Sequence, residues 1–231
     1  MTLPDINKTT FVAFTDISGF KMLSSNQKKA ERALGKFYNE GFNILKEYDC
    51  VKGLFVSDCG ILIVDGNDNN DLEGLKHLLM VLKRLNSSML QDQIMLTTSI
   101  AYGQFVYLQR KEHLNMEKKM LYGQAYLSAF LDNESGKPKI EPGQCRILLD
   151  SLPESIIYNL TEIVARQENK DNIYSNDQVL SLLKKRSGDE KHLYYYWNIN
   201  CSTQIEQFEE YYTDAYQLKY KGFLSALKRR Y

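Results

Sequence analysis

Hydrophobic and polar positions in the first half of the chain follow the periods of strands and helices in turn. Thr10–Asp16 is apolar with a β-branched residue near its end, which predicts a strand. From Gln27 to Tyr48, apolar side chains recur at three- and four-residue steps and predict an amphipathic helix. Cys50–Gly66 contains two β-rich runs divided by Ser57–Gly60, a pattern that predicts a hairpin with Asp58 at its tip.

A second helix and a further strand complete this pattern. The segment that starts NDNND opens with helix-capping residues and carries leucines on one face, at Leu72, Leu75, Leu78, Leu79, Leu82 and Leu85. Ile94–Leu108 then returns to strand chemistry, with an interruption at Tyr102–Gly103. The predicted order, βαββαβ, is the ferredoxin-like split βαβ, in which two helices cover one face of a four-stranded antiparallel sheet.

Weaker patterns follow this α+β core. We predict a charged loop over Gln109–Lys119, a helix led by Gly123, and a strand over Cys145–Asp150. Beyond them, the predicted elements are a polar loop over Gln167–Asp177, a strand over His192–Ile199, and an amphipathic helix or pair over Thr203–Arg230. We interpret residues 1–231 as one domain, with a core over about 9–150 and a C-terminal α/β extension over about 151–231, rather than as two domains.

Composition and charge limit the class of protein without identifying a partner. The 231 residues include 43% hydrophobic and 25% charged, which is typical of a soluble globular protein. The formal net charge of zero gives no electrostatic reason to expect a nucleic-acid or membrane partner. Because no apolar run approaches the ~20 residues of a membrane span, and the N-terminal segment does not resemble a signal peptide, we expect a cytoplasmic protein.

Cysteine and histidine positions do not indicate a disulfide framework, a zinc site or a histidine triad. The cysteines are far apart and without paired ligand spacing, at Cys50, Cys59, Cys145 and Cys201. The histidines are also isolated, at His77, His113 and His192. We therefore expect reduced thiols, most of them buried, and a catalytic chemistry based on carboxylates, amides and cations.

Two aspartates lie at the same edge of the predicted sheet, Asp16 at the end of the first strand and Asp58 in the turn between the second and third strands. Strands one and three are adjacent in a split βαβ, so the carboxylates of Asp16 and Asp58 are expected to converge. Converging carboxylates repel unless a cation lies between them, and hard oxygen ligands select magnesium or manganese. The backbone N–H groups of Ile17–Phe20 could then hold nucleotide phosphates, with Gly19 allowing close approach. Each aspartate alone is also typical of a helix cap or turn residue, but their joint placement favours the metal site.

These residues resemble the class III nucleotide cyclases. The family's first metal motif, Phe-x-Asp-Ile-x-Gly-Phe, is present as FTDISGF over Phe14–Phe20, and its second metal aspartate matches Asp58 in FVSDCGILIV. The family's later strand resembles SIAYGQFVY, and its Gly-led helix resembles LYGQAYLSAFLDNE. The resemblance covers about Thr9–Asp150, and the four landmarks occur in the family's order.

The resemblance implies a homodimer with active sites at the subunit interface and two divalent ions, Mn²⁺ or Mg²⁺. In this family the ribose 3′-hydroxyl attacks the α-phosphate of a nucleoside triphosphate, and pyrophosphate leaves. Asp16 and Asp58 would be the catalytic metal ligands, and the Ile17 carbonyl would complete one ion. The motif also implies substrate contacts at Phe14, Ile17, Ser18, Gly19 and Phe20.

Departures from the family pattern concern base recognition and charge. Leu54 stands where purine cyclases carry a base-reading Lys, and Met120 stands where they carry a second reader. Neither side chain can hydrogen-bond a purine edge. Leu127 and Leu131 replace the family's Asn and Arg, and the candidate replacement cations are Lys118, Lys119 and Arg146. Lys52 lies near the base-reader region, but at the wrong spacing.

The chain keeps both metal aspartates of the family but has different residues at the base-reading positions. This combination resembles one branch of the family, the stand-alone pyrimidine cyclases of Pycsar anti-phage defence. FVSD and GQAYLSAF are similar to that branch, although Thr97 stands where it often has an Arg. The branch makes cUMP or cCMP, which activates a separate effector, so we predict a UTP or CTP cyclase and favour UTP. The alternatives are a purine cyclase of unusual base readout and a catalytically silent nucleotide-binding dimerisation module.

Overall fold

The structure, a computed structural model, describes residues 3–66, 70–113, 116–168 and 178–198. The helix or pair predicted for Thr203–Arg230 lies outside these residues, as does Cys201. The polar loop predicted for Gln167–Asp177 also lies outside them, except that its first two residues end a helix. No helix within the described ranges is long and apolar enough to cross a membrane.

The secondary structure is a mixture of strands and helices along one chain. The strands are β1 (Ile6–Ile17), β2 (Val51–Val56), β3 (Cys59–Val64), β4 (Leu96–His113), β5 (Met116–Tyr122), β6 (Cys145–Leu148), β7 (Leu183–Arg186) and β8 (Asp189–Tyr195). The helices are α1 (Phe20–Leu23), α2 (Gln27–Leu45), α3 (Asp71–Gln91), α4 (Gln124–Ser135) and α5 (Glu154–Glu168). The α+β prediction is confirmed.

The strands form one sheet, and its first part has the predicted split βαβ order. Along the sheet the order is β2-β3-β1-β4-β6-β8-β7, with β5 paired to β4. β1 lies between β3 and β4 and is antiparallel to both, as the βαββαβ order requires. The sheet is larger than the predicted four strands because β6 joins β4 in parallel and β8 and β7 continue from it. β7 and β8, from the predicted C-terminal extension, therefore continue the same sheet.

Two predictions about β4 and its surroundings are wrong. The charged segment Gln109–Lys119 is not a loop, since β4 continues to His113 and then pairs with β5 as an antiparallel ribbon. Backbone hydrogen bonds hold such a ribbon together whatever the polarity of its side chains. The predicted interruption of the strand at Tyr102–Gly103 is also absent, since β4 runs through these residues and Gly103 pairs with Thr10 of β1. Composition therefore underestimated the length of this strand.

The sheet buries apolar side chains on both faces. Side chains alternate along a strand, so Phe11 and Ala13 of β1 face α2 and α3, whereas Val12 and Phe14 face α4. This alternation continues to Asp16, which places its carboxylate on the α4 side of the sheet. The end of β1 therefore presents an acidic side chain at the edge of a packed apolar layer.

A glycine at the start of α4 tests this close packing. Gly123 has a φ of 125°, and a Cβ there would clash with the Gln104 carbonyl oxygen. We expect Gly123→Ala to lower the free energy of unfolding by about 1–3 kcal/mol, measured by urea denaturation. Gly35 in α2 is the matched control, since its Cβ would meet open space. Gly35→Ala is expected to raise stability by roughly 0.5–1 kcal/mol, and equal effects at both sites would contradict the described backbone.

Candidate active site

The two aspartates identified in the sequence lie together at one edge of the sheet. Asp16 is near the end of β1, and Asp58 lies in the turn between β2 and β3. The Ile17 N–H donates to the Asp58 carbonyl oxygen at 3.0 Å, which ties the turn to β1. Potential ligand atoms of Asp16, Asp58 and Cys59 all lie within 4.8 Å of one another. The predicted convergence is therefore present, and the role of the carboxylates as metal ligands stays a prediction.

The surroundings of Asp16 favour neutralisation of its charge. Burial raises the pKa of Asp16 to about 7; the hydrogen bond from Cys59 opposes this rise, and the nearby Asp58 and Glu134 charges add to it. The Cys59 thiol donates this hydrogen bond to Asp16 Oδ1 at 3.3 Å. A half-buried carboxylate beside other acidic groups is stabilised by a divalent cation, and the two carboxylates are the oxygen donors that Mg²⁺ and Mn²⁺ prefer. The donor set therefore fits a hard divalent ion.

The turn after β1 is only partly available to bind an anion. The N–H groups of Ile17 and Ser18 already donate to the carbonyl oxygens of Asp58 and Met95, so the expectation that the N–H groups of this turn are free to bind phosphates is wrong for these two. Gly19 adopts the left-handed conformation, with φ 75°, and Phe20 then begins the four-residue α1. The Ser18 hydroxyl is buried and has no hydrogen-bond partner among the described residues. Within the described part of the chain, the polar groups of this turn left for a phosphate are the N–H groups of Gly19 and Phe20 and this hydroxyl.

Two predicted substrate contacts are buried beneath α4. Phe14 is 3% exposed and packs edge-on against Phe130, with ring centroids 5.2 Å apart. Thr97 is 8% exposed, and its hydroxyl donates to Asn133 Oδ1 at 3.1 Å. The Asn133 amide also donates to the Phe14 carbonyl oxygen at 3.5 Å. Phe14 and Thr97 therefore support the acidic edge from below rather than face the solvent.

The predicted base readers lie in different parts of the chain. Leu54 is half-buried on β2, on the same side of the sheet as Phe14. Met120 lies opposite Leu108, whereas Asp16 lies opposite Thr97. These β4 positions are separated by about 35 Å along the strand, at ~3.3 Å per residue. Met120 therefore lies far from the acidic edge of its own chain.

Arg146 was a candidate replacement for the family's missing arginine, and that prediction is wrong. Its side chain is completely buried, and its guanidinium donates to both carboxylate oxygens of Asp132 at 2.8 Å. It also donates to the Pro138 carbonyl oxygen at 2.6 Å. Of the other two candidates, Lys119 is exposed on β5, and the side chain of Lys118 lies outside the part of the chain that the structure describes. Lys52, near the predicted base-reader region, is half-buried on β2.

A buried polar network next to this site was missed in the sequence. His192 lies between two carboxylates, with its Nε2 3.0 Å from Asp132 and its Nδ1 2.9 Å from Asp189. The Tyr194 hydroxyl donates to Asp189 at 2.7 Å. Burial alone raises the pKa of Asp132, but hydrogen bonds from His192, Arg146 and a serine outweigh it and hold the pKa below its usual value. The network joins α4, β6 and β8, so β8 fixes the end of α4 near Asp16.

The cysteines are less buried than expected. Cys145 is buried, whereas Cys50 and Cys59 are half-buried. No disulfide forms among these three. Cys59 was also missed as part of the acidic site, although its position directly after Asp58 in the predicted hairpin turn was a usable signal.

Comparisons with known proteins identify the fold. No protein-family model and no curated protein matches the sequence. Among solved structures, the adenylyl cyclase CyaB from P. aeruginosa is 19% identical with a TM-score of 0.52, and the match covers 68% of this chain and 84% of that chain. The catalytic core of a rhodopsin-guanylyl cyclase with converted specificity, in complex with ATPαS, is 16% identical with a TM-score of 0.52, covering 84% of this chain and 98% of that one.

A third structure adds a dimeric example. The non-canonical dimeric guanylyl cyclase domain of a RhoGC fusion protein from the aquatic fungus Blastocladiella emersonii is 16% identical, with a TM-score of 0.50. The match covers 64% of this chain and 83% of that chain. The chain therefore has the fold of adenylyl and guanylyl cyclase catalytic domains.

Proposed function

We propose that this protein is a nucleotide cyclase that converts a nucleoside triphosphate to its 3′,5′-cyclic monophosphate and pyrophosphate. The observation that carries the proposal is the meeting of Asp16 and Asp58 at one sheet edge, in a fold shared with adenylyl and guanylyl cyclases. The burial of Asp16 in acidic surroundings supports the same interpretation, because a divalent cation removes the repulsion.

The chain's own residues have distinct parts in this proposed reaction. Asp16, Asp58 and the Ile17 carbonyl would hold two ions, Mn²⁺ or Mg²⁺. When bound, the ions lower the pKa of the attacking 3′-hydroxyl and neutralise the triphosphate. The Gly19 and Phe20 N–H groups and the Ser18 hydroxyl would orient the phosphates. The layer formed by Phe14 and Thr97 beneath this edge would keep the two carboxylates in place.

We further propose that the substrate is a pyrimidine nucleotide, with UTP favoured over CTP. Leu54 and Met120 offer no hydrogen-bonding group to a purine edge, and a site that lacks such groups cannot select a purine by hydrogen bonding. The cyclic product, cUMP or cCMP, would act as a second messenger in antiviral defence, through a separate effector that binds cyclic nucleotides.

A homodimer would complete the proposed site. Met120 lies about 35 Å along β4 from the Asp16 pairing position, so it can reach a bound base only from a second copy of the chain. Leu127 and Leu131 are 47% and 48% exposed on α4, and Tyr122 just before it is 50% exposed. Exposed apolar side chains grouped in this way are typical of an interaction surface. One of the similar structures is described as dimeric.

The experiment that tests the proposed function supplies each nucleotide separately. Purified protein is incubated with Mn²⁺ and ATP, GTP, CTP or UTP, and products are identified by liquid chromatography and mass spectrometry. We expect cUMP or cCMP with an equal amount of pyrophosphate. Cyclic AMP or cyclic GMP as the main product would overturn the pyrimidine assignment and keep the cyclase.

A catalytically silent nucleotide-binding dimerisation module is the second candidate. Leu127 and Leu131 favour it, because they stand where related cyclases carry groups that stabilise the transition state. Arg146 cannot supply the missing positive charge while it is buried against Asp132. Nucleotide binding in the same preparation, without any cyclic product from the four nucleotides, would select this second candidate.

A further inference from the structure

We propose that Cys59 adds a thiol ligand to the Asp16–Asp58 site, so that thiophilic divalent cations such as Zn²⁺ and Cd²⁺ bind there in competition with Mg²⁺ and Mn²⁺. The inference rests on the metal site of the proposed function and adds to it a third ligand and a mode of inhibition. It concerns the donor set of the site and is independent of which base the enzyme selects.

The geometry of Cys59 is already close to that of a metal ligand. Its sulfur lies 3.3 Å from Asp16 Oδ1. A tetrahedral zinc ion with Zn–S of about 2.3 Å and Zn–O of about 2.1 Å holds sulfur and oxygen about 3.6 Å apart. The sulfur, one Asp16 carboxylate oxygen and one Asp58 carboxylate oxygen all lie within 4.8 Å of one another, so three potential donors are grouped at one place.

The backbone maintains this arrangement without a metal. Asp16 and Cys59 are directly opposite each other in the ladder between β1 and β3. Opposite residues of an antiparallel pair project from the same face of the sheet. Asp58 lies in the tight turn just before Cys59, and its carbonyl oxygen accepts a hydrogen bond from the Ile17 N–H. The thiol is therefore held beside the two carboxylates by two paired strands rather than by a flexible loop.

Donor chemistry then separates two groups of cations. Carboxylates suit Mg²⁺ and Mn²⁺, whereas thiolate ligands favour softer ions such as Zn²⁺. With a hard ion bound, Cys59 keeps its proton and its hydrogen bond to Asp16. With a soft ion bound, a metal–sulfur bond replaces the S–H bond and the proton passes to the buffer. A soft ion would therefore occupy the position that a catalytic hard ion needs, and inhibit turnover.

Absorption spectroscopy of the full-length chain tests this donor set without relying on turnover. Cd²⁺ is added stepwise to protein kept reduced by a phosphine, and the ultraviolet charge-transfer band of a Cd²⁺–thiolate bond is recorded. We expect a saturable band in the natural protein, its removal by excess Mn²⁺, and its loss in Cys59→Ser. Cys50→Ser is the matched control, because Cys50 is also half-buried but lies at the other end of the hairpin, and it should keep the band.

Metal affinities distinguish ligand loss from general damage. We expect Cys59→Ser to weaken Cd²⁺ binding by about tenfold or more and Mn²⁺ binding, followed by electron paramagnetic resonance, by much less. A band that persists in Cys59→Ser, or no band in the natural protein, would overturn the inference. If Mn²⁺ binds and cyclic product forms but no Cd²⁺ band appears, only this inference fails. If the band appears but no nucleotide is converted, only the proposed function fails.

Discussion

Replacement of Asp58 with alanine is expected to abolish cyclisation of the preferred nucleotide while the protein stays folded. The substitution removes one of the two carboxylates that would share the ions, and leaves Asp16 as the remaining carboxylate of the pair. Loss of several kcal/mol of transition-state stabilisation lowers the rate by on the order of 10³-fold or more. Cyclic product is measured with saturating Mn²⁺, and folding is checked by circular dichroism. Asp58 lies in a turn at the surface, so the core is left intact.

Asp65→Ala is the matched control for this prediction. Asp65 is also a half-buried aspartate next to β3, but it lies at the opposite end of that strand and is 3.8 Å from the Lys8 ammonium. A surface pair of this kind contributes roughly 0–1 kcal/mol, so we expect little change in turnover or stability. Unchanged turnover in Asp58→Ala, or equal losses in the two variants, would exclude Asp58 as a metal ligand.

The largest effect on stability is expected from Asp132→Ala. This substitution leaves the Arg146 guanidinium completely buried without the carboxylate that accepts its hydrogen bonds, and it also removes a partner of His192. Removal of one member of a buried ion pair costs about 3–5 kcal/mol. The free energy of unfolding is measured by urea denaturation at neutral pH. A loss of this size is a large part of the stability of a typical domain.

Glu47→Ala provides the surface comparison. Glu47 accepts two hydrogen bonds from Arg84, at 2.6 and 2.9 Å, but both side chains are exposed, so solvent screens the pair and we expect a much smaller loss of stability than in Asp132→Ala. The pH dependence gives a second check. Because the pKa of Asp132 is lowered in the folded state, its contribution is complete above the unfolded-state pKa and is lost as the pH falls through the lowered value. The difference in the free energy of unfolding between the natural protein and Asp132→Ala should therefore become smaller in acid. A difference that does not change with pH would contradict the buried ion pair of Asp132 and Arg146.

Local patterns in the sequence were sufficient for the elements that build the acidic edge. β1, the hairpin of β2 and β3, and the helices α2 and α3 each lie where hydrophobic periodicity predicts them. Periodicity succeeds here because each element packs one face against the core, so its residues repeat with its own geometry. The convergence of Asp16 and Asp58 also followed from the sequence, because the βαββαβ order places strands one and three side by side.

The charged ribbon and the enlarged sheet were beyond this kind of reasoning. β4 and β5 pair over a segment whose composition predicts a loop, and β6, β8 and β7 join a sheet predicted to have four strands. Strand pairing is made by backbone hydrogen bonds, which every residue except proline can form, so side-chain polarity does not report it.

The sequence by itself determined the βαββαβ order of the split βαβ core and the two aspartates at one edge. Only the tertiary structure decided which polar groups near that edge are already in use. Arg146 is occupied by Asp132, the Ile17 N–H by the Asp58 carbonyl, and the Thr97 hydroxyl by Asn133. The tertiary structure also places the Cys59 thiol within hydrogen-bonding distance of Asp16. The physical reason is that burial and hydrogen bonding depend on residues distant in the chain, about which a local pattern carries no information.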